Sequence, residues 1–380
     1  MKVVVAMDSF KGSLTSLEAG YAVKEGILRA ASDAKVLVFP LADGGEGTVQ
    51  ALTTGAGGRM ERVSVTGPLG LPIACTYGIL QDGRTAVMEI AGAAGLTLVP
   101  DKERNPLNTT TYGVGELIKD AIEKGCRHFI VGLGGSATND GGIGMLQALG
   151  FGMLNRDGQQ VAMGAKGLLE LVQISMQGVL PQLKECTFRI ACDVNNPLCG
   201  PLGASAVYGP QKGATADTVL QMDEWLKSYA KLAVQKFPKA DPAQAGAGAA
   251  GGLGFAFLAF TNAVLESGVK IVLEETNIEE AIKEADLVVT GEGRLDEQSA
   301  MGKAPVGVAR IAKKYDKPVL ALCGSVSGDA RACNNCGIDA YFPIMQGAVD
   351  LEEAMKPAVA KANLSAAAEQ VFRLIARIQN

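Results

Sequence analysis

The sequence predicts an α/β fold in which a parallel sheet domain is interrupted by a second α/β domain with a mixed sheet. Three observations point there. Apolar runs rich in β-branched residues, at Lys2–Met7 and residues 35–41, read as strands buried on both faces, as in parallel sheets covered by helices. Helical periods alternate with such runs near both ends of the chain. Between about Met60 and Leu98 the pattern changes. MERVSVTG and GRTAVMEIAG alternate apolar with polar residues, GPLG and QDG supply turn signals, and antiparallel strands are expected.

Taken in order, the first strand leads into the loop DSFKGS and a helix over residues 14–31. Ser13 or Thr15 is placed to cap that helix, and Leu17, Tyr21, Ala22 and Leu28 mark its apolar stripe. Residues 35–41 form the second strand, followed by ADGGEGT and a short helix. The same alternation returns with a strand at 285–290, the loop GEGRLDEQSAMGK, a helix at 305–315, a strand at 317–323 and a further strand at 339–344. The tail from 351 to 378 reads as helix. We expect a flavodoxin-like domain of residues 1–60 plus 275–380, with residues 61–274 inserted. Right-handed crossovers allow an insertion that leaves and returns at one sheet edge. Two consecutive domains are the alternative. AQAGAGAAGGLG, at 243–254, reads either as a linker or, because it opens an apolar helix, as an anion site.

The chain has 380 residues, enough for two or three domains at about 150 residues each. Its net charge of −5 is spread along the chain, with no basic block to suit nucleic acid or an anionic membrane. No apolar run reaches about 18 residues, so no membrane span is expected. The start, MKVVVAMDSF, reads as a strand rather than a leader. The eight cysteines are scattered, so a reducing cytoplasm is expected and Cys333-x-x-Cys336 reads as two ordinary thiols. The single histidine, His128, opens a strand, away from the end where parallel-sheet enzymes bind ligands. It is read as structural, which leaves proton chemistry to Asp, Glu, Lys or a metal-polarised group.

The 48 glycines gather in short runs beside polar residues. Five loops share one design: MDSFKGS (7–13), LADGGEGT (41–48), GLGGSATNDGG (132–142), CDVNNPL (192–198) and TGEGRLDEQS (290–299). Glycine lets the backbone approach a ligand and aim N–H groups at it. Carboxylates at the same rim can hold magnesium. Phosphoryl transfer needs that combination. There is no GxxxxGK[ST] loop, since Gly302-Lys303 lacks the spaced glycine and Ala304 follows it. A rival reading is an NAD-dependent oxidoreductase using Gly132-x-Gly134-x-x-Ala137. It requires an acidic residue ending a second strand, and the candidate, Asp157, sits in the turn-like NRDG.

Together, MDSFKGS, PLADGGEGT, GLGGSATNDGG, ACDVNNPLCGP, GAGAAGGLG and VVTGEGRLDEQSAMGKAP span nearly the whole chain, and their set and order resemble the bacterial glycerate kinase family. The resemblance implies an ATP- and magnesium-dependent kinase of D-glycerate, with 2-phosphoglycerate the favoured product and 3-phosphoglycerate the alternative. It also implies the split-domain fold, with the active site in the cleft between the domains.

Glycerate carries a carboxylate and two hydroxyls, and roles are assigned by residue chemistry. Asp193 or Asp43 serves the hydroxyl or the metal, and Lys11 neutralises the transferring phosphoryl group. Arg294, Ser9, Asp296 and Asn196 are the substrate-binding candidates, with Arg294 on the carboxylate. Gly134, Gly135, Ser136, Gly291, Glu292 and Gly293 are the nucleotide-binding candidates. Asp140 and Glu46 are the metal candidates, with Asn139 beside them. The expected partner is the small molecule alone, and a homodimer is the assembly considered.

Overall fold

The computed structural model describes residues 1–379. From the N-terminus, β1 (Lys2–Met7) is buried from Val3 onward, as its unbroken apolar run requires. α1 (Ser16–Ala30) starts at Thr15, whose hydroxyl accepts from the Glu18 N–H at 3.3 Å while Glu18 accepts from the Thr15 N–H at 2.9 Å. This reciprocal capping satisfies donors that the first turn leaves open. The buried face of α1 is Ser16, Ala19, Gly20, Ala22, Val23, Gly26 and Ile27; of the expected stripe Ala22 is buried, Leu17 and Leu28 are half-buried, and Tyr21 is exposed. Small side chains face inward because the C-terminal helix lies against this face. A Cβ on Gly26 would stand 2.1 Å from the Ser365 carbonyl oxygen. β2 (Lys35–Pro40) and α2 (Thr48–Gly55) follow.

Next come β3 (Arg59–Thr66), β4 (Pro72–Ile79) and β5 (Thr85–Glu89), paired antiparallel in that order. The short α3 (Ala91–Ala94) and α4 (Tyr112–Glu123) lead to β6 (His128–Gly132). α5 (Ile143–Ala148) precedes β7 (Gly152–Leu154), and α6 (Gly167–Glu170) precedes β8 (Gln173–Ser175), which pairs antiparallel with β7. β9 (Thr187–Ala191), α7 (Ala204–Tyr208), α8 (Ala216–Lys236), α9 (Ala249–Phe260) and β10 (Ala263–Glu266) complete the run. The sheet order is β10-β9-β6-β5-β4-β3, parallel from β10 to β5 and antiparallel beyond. This is the mixed sheet that the change of pattern near Met60 predicts. Every residue of α9 is buried, as its all-apolar sequence requires, and its start is kinked by left-handed backbone at Ala250, Gly251 and Gly252. The linker reading of 243–254 therefore does not hold: Ala247, Ala249 and Leu253 are core residues.

The chain continues with α10 (Gly268–Glu275), α11 (Ile278–Lys283), β11 (Leu287–Gly291), β12 (Arg294–Leu295), α12 (Glu297–Ala300) and α13 (Ala304–Lys314). Then come β13 (Val319–Cys323), β14 (Ser325–Val326), β15 (Ala340–Pro343), α14 (Leu351–Met355) and α15 (Pro357–Gln379). The expected single C-terminal helix breaks at Lys356, whose ψ of 127° is extended. The ring of the next residue, Pro357, disfavours helical backbone there. β15-β13-β11-β1-β2 form one all-parallel sheet. Numbered within that sheet, the order is 2-1-3-4-5, the flavodoxin-like arrangement.

The chain divides into two compact units. One comprises Met1–Asp43, Thr54–Ala56 and the chain from Val269 on, and the other Gly44–Thr53 and Gly57–Gly268. Thus 44–53 and 57–60 belong with the mixed sheet, and 269–274 with the parallel sheet. No described helix is long and apolar enough to cross a membrane.

Candidate active site

In the parallel sheet, β1 lies between β2 and β11, so the chain reverses its direction of strand addition at β1 and β11. Such a switch leaves a crevice outside the carboxyl ends of the two strands. The loops that follow those ends, starting at Asp8 and at Glu292, contribute to the lining of a cavity of about 640 Å³, with Asp43 and residues beyond β13 and β15.

Two of its lining carboxylates are buried. Asp8 is buried and accepts the Ser9 N–H at 2.7 Å. Burial pushes its acid up to about 6, and the nearby Asp43 charge adds to the rise. Glu292 is also buried, and burial, with the charges of Asp8 and Asp296 adding to it, pushes its acid up to about 7. Its Oε1 has no hydrogen-bond partner. Cations surround them. Lys11 Nζ donates to Asp43 Oδ2 at 3.2 Å, and the Asp43 charge raises the Lys11 amine. Lys303 Nζ lies 3.7 Å from Asp296 Oδ1 and 4.0 Å from Glu292 Oε2. Arg294 is exposed, with Nε 3.7 Å from Asp296 Oδ2. Asp296 also caps α12 by accepting the Ser299 N–H.

Lys11, Asp43, Ser9, Arg294, Asp296, Glu292 and Gly293 thus line one cavity. Gly291 has a different duty. It is buried within β11, its carbonyl accepts the Asp8 N–H at 2.8 Å, and a Cβ there would meet the Leu322 carbonyl oxygen at 1.9 Å. Sequence reasoning left Asp8 and Lys303 out of the site residues. The signal for Asp8 was present, an acid immediately after the first buried strand. Lys303 had been weighed only as part of a failed Walker motif.

The other predicted residues lie in the mixed-sheet unit. Gly134 and Gly135 are exposed in the loop after β6, and Ser136 beside them is buried. Lys212, unmarked in the sequence, donates to Ser136 Oγ at 2.9 Å and to the Thr138 carbonyl at 2.6 Å. Asp140 is fully buried. It accepts from the Thr111 N–H at 2.9 Å and hydroxyl at 2.8 Å, and from the N–H groups of Gly142 and Gly144 at 3.0 and 3.4 Å. Those bonds commit both oxygens to holding the loop, so Asp140 does not present a free carboxylate to a metal. Asn196 is likewise engaged, donating to the Leu202 carbonyl at 2.8 Å and accepting the Tyr208 hydroxyl at 2.7 Å. Asp193 is exposed after β9. Glu46 is exposed, and its charge adds to the rise that burial imposes on the Glu89 acid. Glu89 accepts the Val49 N–H at 2.9 Å near the start of α2.

His128 is exposed at the amino end of β6, with Nδ1 2.8 Å from the Thr187 hydroxyl. All eight cysteines are free thiols. The nicotinamide rival fails on local structure. A dinucleotide turn runs directly from strand into helix, yet α5 begins only at Ile143. The strand before Asp157, β7, belongs to a two-stranded antiparallel pair rather than the parallel sheet.

The family described as the glycerate kinase family matches residues 3–376. A glycerate kinase of Haemophilus influenzae is 47% identical over 376 residues, 99% of each chain. A glycerate 2-kinase of Escherichia coli K12 is 46% identical over 359 residues, 94% of each. Among solved structures, a putative glycerate kinase 2 from Salmonella typhimurium LT2 superposes with a TM-score of 0.92 at 44% identity, covering 100% of this chain and 99% of that one. None of these similarities supports an oxidoreductase. The fold, the loops and kinship along the full length agree: this chain belongs to the glycerate kinase family.

Proposed function

We propose that this chain transfers the γ-phosphoryl group of ATP to D-glycerate, with the 2-hydroxyl the favoured acceptor. The observation that carries the reading is the buried Asp8–Glu292 pair set among Lys11, Lys303 and Arg294 at the carboxyl ends of β1 and β11. Cations beside carboxylates of raised proton affinity suit an anionic substrate and a hydroxyl that must lose its proton. The kinship to a glycerate 2-kinase supports the choice of hydroxyl.

The donor set fits magnesium. Among the described residues, no group of three or more His, Cys, Asp or Glu side chains forms a cage for a metal. Magnesium, however, takes one or two carboxylates and fills its remaining positions with water and phosphate oxygens. Asp8 and Glu292 would hold it, since Glu292 Oε1 is buried without a partner. When bound, it would neutralise charge on the nucleotide phosphates. Lys11 meets the transferring phosphoryl group, Arg294 takes the glycerate carboxylate with Ser9 and Asp296 beside it, and Asp43 or Asp193 orients the acceptor hydroxyl. Gly134, Gly135 and Ser136 donate to phosphate oxygens. A cytoplasmic location accompanies this reading.

The test is ADP release with D-glycerate, with and without magnesium, and phosphorus NMR of the product. ADP release that needs both, with a 2-phosphoglycerate signal, is expected. Release indifferent to glycerate would reject the substrate, and a 3-phosphoglycerate signal would move the acceptor to the other hydroxyl.

A further inference from the structure

Lys212 is the one fully buried lysine among the described residues, 2% exposed. Its Nζ bonds to a hydroxyl and a carbonyl, Ser136 Oγ and Thr138 O. Among the described residues it makes no ion pair. Asp140 acts on it only through space, and the Asp140 oxygens are taken by Thr111, Gly142 and Gly144. Burying an ammonium without a paired carboxylate is costly, and burial pushes this amine down to about 7.

Holding the loop does not require that cost. Asp140 ties it at one point, and the Gly141 N–H donates to the Gly251 carbonyl at 2.9 Å at another. Both Lys212 bonds instead fall on the turn that exposes Gly134 and Gly135. A serine oxygen that accepts from an ammonium keeps its own proton for donation elsewhere, and charge assistance strengthens that donation. An exposed glycine pair and a hydroxyl held by a buried amine behind them suit a phosphate group, whose own negative charge would favour the protonated amine.

We infer that Lys212 is a positioning residue that, acting through Ser136, makes the Gly134–Gly135–Ser136 turn a binding site for a nucleotide phosphate. The inference rests on the phosphoryl-transfer reading but can be tested apart from it. ADP binding to the full chain is measured by calorimetry for wild type, Lys212→Met, Ser136→Ala and the double variant, alongside KM for ATP and for D-glycerate. Lys212→Met should weaken ADP and raise the ATP KM by about tenfold or more while leaving the glycerate KM within about twofold. Its Tm should change by only a few degrees, because removing a desolvated charge offsets the hydrogen bonds lost at Ser136 and the Thr138 carbonyl. Ser136→Ala should reproduce the loss, and the double variant should add little to it. Should Lys212→Met fail to fold, Ser136→Ala, which removes one hydroxyl, decides. Unchanged ADP binding in Ser136→Ala, or losses that simply add, would overturn the inference. ADP binding that depends on Lys212 in a protein unable to phosphorylate glycerate would leave it standing and remove the substrate assignment instead.

Discussion

Lys11 and Asp43 meet at 3.2 Å, joining the loop after β1 to the loop after β2. The pair is largely solvated, with the Lys11 side chain 77% exposed. Exposed pairs contribute at most about 1 kcal/mol to folding, so this contact matters for what it presents to a ligand. Lys11→Ala should lower kcat/KM by roughly 100-fold or more, the usual scale for losing one charge-stabilising donor. Its Tm should stay within a few degrees of wild type. Thermal melts beside steady-state kinetics check this, and full activity in Lys11→Ala would remove the residue from the chemistry.

Glu292 gives the metal-free protein a defined pH response. Its acid is raised in the folded state, so the native protein holds that proton more tightly than the unfolded chain does. Stability should therefore fall as pH rises from about 4.5 to about 7, the window between the two values. The effect is on the order of 3 kcal/mol at most. Glu292→Gln should raise Tm at pH 8 in the presence of a chelator and leave it nearly unchanged at pH 4. An equal shift at both values would mean that the carboxylate is not desolvated.

Asp140 separates the structural carboxylates from those facing the cavity. Asp140→Ala leaves the Thr111, Gly142 and Gly144 donors buried without an acceptor and should cost about 2–4 kcal/mol by denaturant unfolding. Asp140→Asn, which keeps one acceptor oxygen, should cost less. Retained stability with a lost magnesium requirement would return Asp140 to the metal.

Gly291 makes a steric prediction. With the Leu322 carbonyl oxygen 1.9 Å from where a Cβ would be placed, Gly291→Ala must push β11 and β13 apart. Overpacking of this kind costs about 1–3 kcal/mol or more. Gly293→Ala, whose nearest neighbour would be Phe10 Cα at 3.5 Å, should fold as wild type. Equal melting temperatures for the two variants would contradict this contrast.

The parallel strands were legible because a strand covered on both faces leaves an unbroken apolar run, as Val3, Val4 and Val5 do. The antiparallel strands were legible because β3 and β4 leave one face open and alternate. The α1 face is legible only in part: Ala22 is buried as expected, but apolar size does not mark burial where tight helix packing selects Gly26. The loops with chemistry were found, but roles within them were less legible. In sequence, Asp140 and Asn196 look like ligands, yet a short polar side chain in a glycine loop looks the same whether it faces a substrate or neighbouring backbone. Lys212 carries no sequence signal at all, because its meaning lies in its burial.

The pairing of β1 bears on how the chain comes off the ribosome. Val3 has its partner in Leu287, and only β2 is available to β1 before that point. At roughly 5–20 residues per second, β11 is synthesised about 15–60 s after β1. A two-stranded ribbon is marginal in water, whereas the mixed sheet is complete once β10 has emerged. The mixed-sheet unit, encoded between the two parts of the parallel sheet, should therefore fold first, and the apolar N-terminal strands must wait, exposed, for partners still to be made. Early strands of this kind are the natural substrate of a ribosome-bound chaperone.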